Sequence, residues 1–215
     1  MKEANKRQYD SSRRREQANE TRVRIISAAR ALFITQGYGQ TTIKQIALEA
    51  GVAAETVYAA FRNKSALLRQ VWYVDFRGDE DQHALYDRPE MQAILAEPDL
   101  IARIRRHAIF VTANNRRMAP LLDALTGAAA TEPDAARMLE EWAGRRLDVA
   151  TRYAAAAAAT GQLATTEDEC RDILFATMDG ALWSRLVEQR GWSDSKYAAW
   201  LGEGWISSFS RAQDR

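Results

Sequence analysis

Cysteine is nearly absent: Cys170 is the only one in 215 residues. A lone cysteine closes no internal disulfide and fills no Cys-rich metal cluster. No charged-then-apolar leader opens the chain. The uncharged stretch 153–166 is Ala- and Thr-rich and too short and weakly apolar to span a bilayer, so a cytoplasmic chain with no membrane segment is expected. Proline is scarce and confined to Pro89, Pro98, Pro120 and Pro133, which leaves both ends free of the strongest helix breaker. An excess of one charge sign is also missing. With 30 Lys and Arg against 29 Asp and Glu, the net charge of +1 advertises no acidic or basic partner. What is present is 47% hydrophobic residues, enough to bury the core of one large domain or two modest ones.

The neutral total is a cancellation. Residues 1–70 carry thirteen Lys and Arg against six Asp and Glu, a net +7, and the remainder carries −6. A basic head on an acidic body makes the head a candidate for phosphate, although a solvated charged face has the same composition. Apolar residues in 16–35 (Val23, Ile26, Ala29, Leu32, Phe33) recur at three- and four-residue steps, and Gly37 ends that segment. Helical patterns recur over 64–76, 99–112, 134–160, 166–189 and 194–211, and no strand is read. The expectation is an all-α fold of about nine helices. Residues 1–20 are almost devoid of apolar side chains and read as a basic, poorly ordered arm, followed by a head over 21–66 and a larger body over 67–215.

The most informative stretch is 41–64, TTIKQIALEAGVAAETVYAAFRNK. Thr42 is placed to cap a short helix over 43–50 that buries Ile46, Ala47 and Ala50. Gly51 takes a sharp turn, Val52 tucks inward, and a second short helix over 54–61 buries Val57, Ala60 and Phe61. This is the pattern of a helix-turn-helix, in which a small residue at Ala47 lets the helices cross closely and the outer face of the second one enters a major groove. Thr42, Thr56, Tyr58 and Lys64 are suited to phosphate oxygens. Lys44, Ala54 and Thr56 are placed for base edges, with Glu55 able to accept from cytosine. Arg13, Arg14 and Arg15 in the arm either enter a minor groove or form a soluble tail.

The runs AARALF, GYGQTTIKQIA, AGV, TVYAAF and NKSALL, between Arg24 and Leu68, resemble the amino-terminal domain of the tetracycline-repressor (TetR) family of bacterial transcription regulators. The resemblance implies an all-helical homodimer whose amino-terminal domain binds DNA and whose carboxy-terminal domain binds a small effector and dimerises. By position it implies that Thr42, Lys44, Ala54, Thr56, Tyr58 and Lys64 lie at the DNA. The sequence departs from the family pattern at Ala53, where a side-chain N-cap is common, and at Ala60, where a histidine is common.

In the body, aromatic and polar residues mix on or near two long helices: His107, Phe110, Asn114, Met118, Trp142 and Arg145. Such a mixture lines ligand cavities, and with the resemblance it points to an effector pocket, although each residue alone reads first as core or surface. The segment 166–189 is apolar nearly all round, and Tyr197, Leu201, Trp205 and Phe209 form a stripe at four-residue steps. Leu174, Met178, Ala181, Tyr197, Leu201 and Trp205 are therefore expected at a four-helix interface between two copies, with Gly180, Gly202 and Gly204 permitting close approach.

Catalysis is not expected. No Gly-rich phosphate loop follows a strand, no nucleophile motif occurs, and no cofactor is implied. Asp79, Glu80, Asp81 and His83 read as an exposed loop rather than a metal site. The reading is a ligand-released repressor on a near-palindromic operator, the alternative being a helix-turn-helix dimer that senses no effector.

Overall fold

The computed structural model describes the backbone of residues 2–77 and 88–210, and side chains over 15–75 and 88–210. The loop acids with His83 lie outside the described residues. The described chain is helical: α1 (Lys2–Gln36), α2 (Ile43–Ala50), α3 (Ala54–Phe61), α4 (Lys64–Arg77), α5 (Pro89–Leu95), α6 (Leu100–Ala128), α7 (Pro133–Ala158), α8 (Glu167–Thr177), α9 (Gly180–Trp183) running into a π turn over Ser184–Glu188, and α10 (Asp194–Phe209). Helix α1 begins at Lys2. Among the described residues no helix is long and apolar enough to cross a membrane.

The prolines mark helix starts, with one exception. Pro89 and Pro133 occupy first-turn positions, where the missing N–H is unused by the helix. Pro98 precedes Asp99, whose side chain accepts from Ala102 N–H at 2.8 Å to cap α6. Pro120 lies inside α6, which continues through it to Ala128 rather than stopping near Thr112. Met118, Ala119, Leu121 and Leu125 are buried on both sides of the proline, so tertiary packing outweighs the lost backbone hydrogen bond.

Two apolar cores result. The first joins Ile25, Phe33, Tyr38, Ile46, Val57 and Phe61 of the head to Leu68 and Trp72 of α4, and extends to Leu121, Leu125, Met138 and Trp142 on α6 and α7. The second fills the body between α6, α7, α8 and α10 around Ile104, Tyr153, Leu174, Tyr197 and Trp205. The charge boundary near residue 70 is therefore not a packing boundary. Head and body share one core through α4.

The residues expected between two copies face inward. Leu174, Met178, Tyr197, Leu201 and Trp205 are all buried within the chain, and Ala181 is half-buried. The four-residue stripe of α10 packs on α6, where Gly202 brings the helices close enough that a Cβ would meet that of Ala108 at 3.4 Å. Trp205 Nε1–H donates to Thr177 Oγ1 at 2.8 Å and ties α10 to the end of α8. The all-round apolar pattern of 166–189 is explained by a break: Asp179 caps a new helix by accepting from Ala181 N–H, so the two halves turn different faces to the core. Gly180 is packed against backbone, since a Cβ there would lie 3.2 Å from Ala119 Cα and Cβ. Gly180→Ala is expected to cost about 1–3 kcal/mol, lowering Tm by several degrees. Gly204→Ala, a helix-interior position with open space, is expected to raise Tm. A thermal melt of each variant checks the opposite signs.

Candidate nucleic-acid interface and interior cavity

The head is built from short-range hydrogen bonds. Thr42 forms a capping box: its Oγ1 accepts from Gln45 N–H at 3.3 Å, and Gln45 Oε1 accepts from Thr42 N–H at 2.8 Å. Gly51, at φ +65°, closes α2 by donating to Ala47 and Leu48 carbonyls, and Val52 N–H donates to Ala47 O at 2.9 Å. That left-handed turn swings α3 across α2. Arg22 fastens α3 from outside, with its guanidinium 4.5 Å from the Phe61 ring centre and donating to Gln70 Oε1 at 2.7 Å.

One outward face results. Lys44, Thr56 and Tyr58 are exposed, as are Thr42 and Glu55, while Ala54 is half-buried. Tyr58 is 52% exposed, unusual for a large aromatic with no described ring partner. Ala60, expected in the core, is exposed: Val57 and Phe61, one turn apart, cover the inner face, and Ala60 falls at its edge. Lys64 is half-buried, its Nζ donating to Tyr38 O at 3.0 Å and sitting 4.3 Å from the Tyr38 ring centre. It pins the turn before α2 and keeps further donors for an anion. Arg15 is exposed on α1; the side chains of Arg13 and Arg14 lie outside those described. Ala53 gives α3 no side-chain cap. Ala53→Ser is expected to stabilise the head by about 1 kcal/mol, read as a Tm a few degrees higher.

Helix α4 connects this face to the body. Arg30 Nε on α1 bonds both carboxylate oxygens of Asp75 at 2.6 and 2.8 Å, and Arg30 also donates to Arg117 O on α6. Burial raises the Asp75 carboxyl above its ordinary range despite Arg30 pulling it down. Arg69 makes a two-pronged bond to Glu141 on α7 at 2.5 and 3.0 Å. Arg117 Nε on α6 donates to Asp75 O at 3.3 Å, so helix α4 is held by charged groups on three neighbours.

A cavity of about 90 Å³ opens between α4, α6, α7 and the α8–α9 break, several times the room one water needs. His107, Phe110, Asn114, Met118, Trp142 and Arg145 all line it. Sequence reasoning missed Trp72 on α4 and Asn115, Arg146 and Asp179, and it assigned Met178 to another surface. The Trp72–Tyr73 pair beside basic residues was a legible signal. The contribution of Asp179 depends on a helix break that periodicity did not reveal.

The cavity collects unpaired polarity. His107 is fully buried and stacked on Tyr153, with ring centres 4.1 Å apart; neither ring nitrogen makes a hydrogen bond. Burial pushes its pKa down to about 3, so it is neutral at pH 7. Trp142 Nε1 and Arg146 Nε are also buried without a hydrogen-bond partner. Each such group costs about 1–3 kcal/mol relative to a satisfied one. Arg146 lies 4.7 Å from the Phe175 ring centre, and burial lowers its pKa while Asp179 opposes that shift. At the rim Arg145 lies 4.7 Å from the Trp72 ring centre and donates to Tyr73 Oη at 3.2 Å.

Comparison with known proteins agrees with this geometry. Residues 25–71 match the family described as bacterial regulatory proteins, tetR family. The HTH-type transcriptional repressor BepR of Brucella suis is 32% identical over 127 residues; the match spans 53% of this chain and 61% of BepR, under two thirds of that relative's length. Among solved structures, NalD, the secondary repressor of the MexAB-OprM multidrug efflux pump in Pseudomonas aeruginosa, superposes with a TM-score of 0.63 at 20% identity, covering 90% of this chain and 98% of NalD. The SmeT–triclosan complex gives 0.64 at 23% identity, covering 90% and 93%. These two establish the fold alone. It is the head, residues 25–71, that carries the likeness to the tetR family of bacterial regulatory proteins.

Proposed function

We propose that the chain is a transcriptional repressor that binds a near-palindromic operator through α2 and α3 and releases it when a small molecule occupies the interior cavity. The observation that carries the reading is the exposed face of Lys44, Thr56 and Tyr58, presented by the Gly51 turn within the first 70 residues, whose net charge is +7. Thr42 and Lys64 at the flanks add phosphate contacts, with Ala54 against a thymine methyl. The arm arginines Arg13 to Arg15 add positive charge ahead of the head, suited to a minor groove.

Homodimerisation belongs to the same reading, because two heads then meet half-sites about one helical turn, roughly 34 Å, apart. The stripe of α10 first expected at that surface is buried within the chain. The outward face remains, where Trp200 is 44% exposed beside exposed Ala199, and Ala176 is exposed on α8. BepR and NalD are named as repressors and SmeT was solved with triclosan, which supports release by a ligand.

Coupling runs through α4. Trp72 is a wall of the cavity, Asp75 one turn later grips Arg30 on α1, and Lys64 at the start of the helix grips the turn before α2. A ligand that moves Trp72 therefore moves the head, and linkage requires DNA to weaken ligand binding by the same factor. The test is binding of the purified protein to its own upstream DNA with and without small aromatic compounds. Saturable binding that a compound weakens supports the reading. Binding insensitive to every compound would favour a dimer without an effector, and no binding at low salt would overturn the proposal.

A further inference from the structure

The cavity has a sign. The charged side chains lining it are Arg145, Arg146 and Asp179, a net positive charge in a mostly apolar space. Asp179 already accepts from Ala181 N–H as a helix cap, and Arg145 is held at the rim by Trp72 and Tyr73. Arg146 is different. It sits on α7 against Phe175, its Nε is buried with no hydrogen-bond partner, and no carboxylate among the described residues forms an ion pair with it. An arginine with a buried, unbonded Nε–H and no ion pair, set in an apolar wall, matches a carboxylate or phenolate oxygen, not a cation. The rest of the lining fits the body of such a ligand. Trp72, Trp142 and Phe110 offer ring faces, and buried Trp142 Nε1 is a second unpaired donor.

Resting on the reading of this cavity as the effector site, we infer that it takes a small planar aromatic monoanion, a carboxylate or acidic phenolate, whose charged end is bound by Arg146. His107 supports this class. It is neutral, fully buried and without a hydrogen-bond partner, so it offers one donor and one acceptor to a polar substituent and no competing charge. A lipophilic ammonium would meet two guanidinium groups and a carboxylate already engaged with the backbone.

The test uses three ring-matched probes, 2-naphthoate, 2-naphthamide and 2-naphthylmethylammonium, titrated against the full-length protein and followed by quenching of tryptophan fluorescence. The expected result is naphthoate binding at least tenfold tighter than the amide, with the ammonium weakest. Arg146→Met is expected to abolish the preference for the anion while amide binding persists. Arg146→Lys, which keeps the charge and loses the fork, is expected to restore part of that preference; it also serves should the methionine variant fold poorly. Ammonium binding as tight as naphthoate binding, naphthoate binding indifferent to Arg146, or binding of no probe would overturn the inference. Operator release is measured separately. Arg146-dependent binding of naphthoate without release would leave the ligand class standing and sink the effector role, whereas release by the ammonium alone would do the reverse.

Discussion

A chain carrying Lys44→Ala and Tyr58→Ala together is expected to bind operator DNA about a hundredfold more weakly or worse, with its thermal stability unchanged. Each side chain lost from a base edge or phosphate costs about 1–3 kcal/mol of binding. Lys44 and Tyr58 are exposed, and neither makes a described hydrogen bond through its side chain, so truncation leaves the head intact. Fluorescence anisotropy of a labelled operator measures the loss. A repeat over a salt series should show the slope of log K against log salt falling by about one for each phosphate contact removed. Unchanged affinity would move the reading surface away from α3.

Trp205→Ala is expected to destabilise the fold itself by about 3–5 kcal/mol, lowering Tm by roughly ten degrees. Trp205 is almost fully buried, its ring centre lies 5.3 Å from that of His107, and its indole N–H is bonded to Thr177. An interface residue behaves differently, because its loss shifts a midpoint that depends on protein concentration. Urea unfolding at two protein concentrations separates the cases. The Trp205 variant should lose stability equally at both, and Trp200→Ala, on the outward face, should lose it mainly at the lower concentration.

The difference between Trp205 and Trp200 shows where sequence reasoning stops. Periodicity located α10 and the stripe it buries, but a stripe does not say whether the covering surface is α6 or a second copy. Gly202 against Ala108 settles that, and close approach is a property of the folded pair, not of either segment. The head was more legible because its determinants are local. The Thr42 capping box, the Gly51 turn and the buried Ala47 are separated by at most nine positions, and each follows from short-range chemistry. Ala60 escaped for the opposite reason, being one edge position on a two-turn helix where 100° of rotation decides burial.

The cavity was half legible. Six mixed aromatic and polar positions on α6 and α7 share one space because those helices lie side by side. Trp72 and Arg146 could have been added from residue type, but what gives them meaning is longer in range. Trp72 joins the cavity to the core of the head, and Arg146 Nε is left without a hydrogen-bond partner where α7 packs on α8. Neither relation exists along the chain. Pro120 is a similar case, since a helix breaker sits inside the longest body helix because buried neighbours on both sides hold it there.

The most direct measurement is a titration of the full-length protein onto a labelled duplex from its own upstream region and onto a scrambled duplex of the same length, at several salt concentrations. The account requires saturable binding at least about a thousandfold tighter to the upstream duplex, with log K falling linearly as log salt rises. Equal affinity for the two duplexes, or no binding to either at low salt, would contradict it.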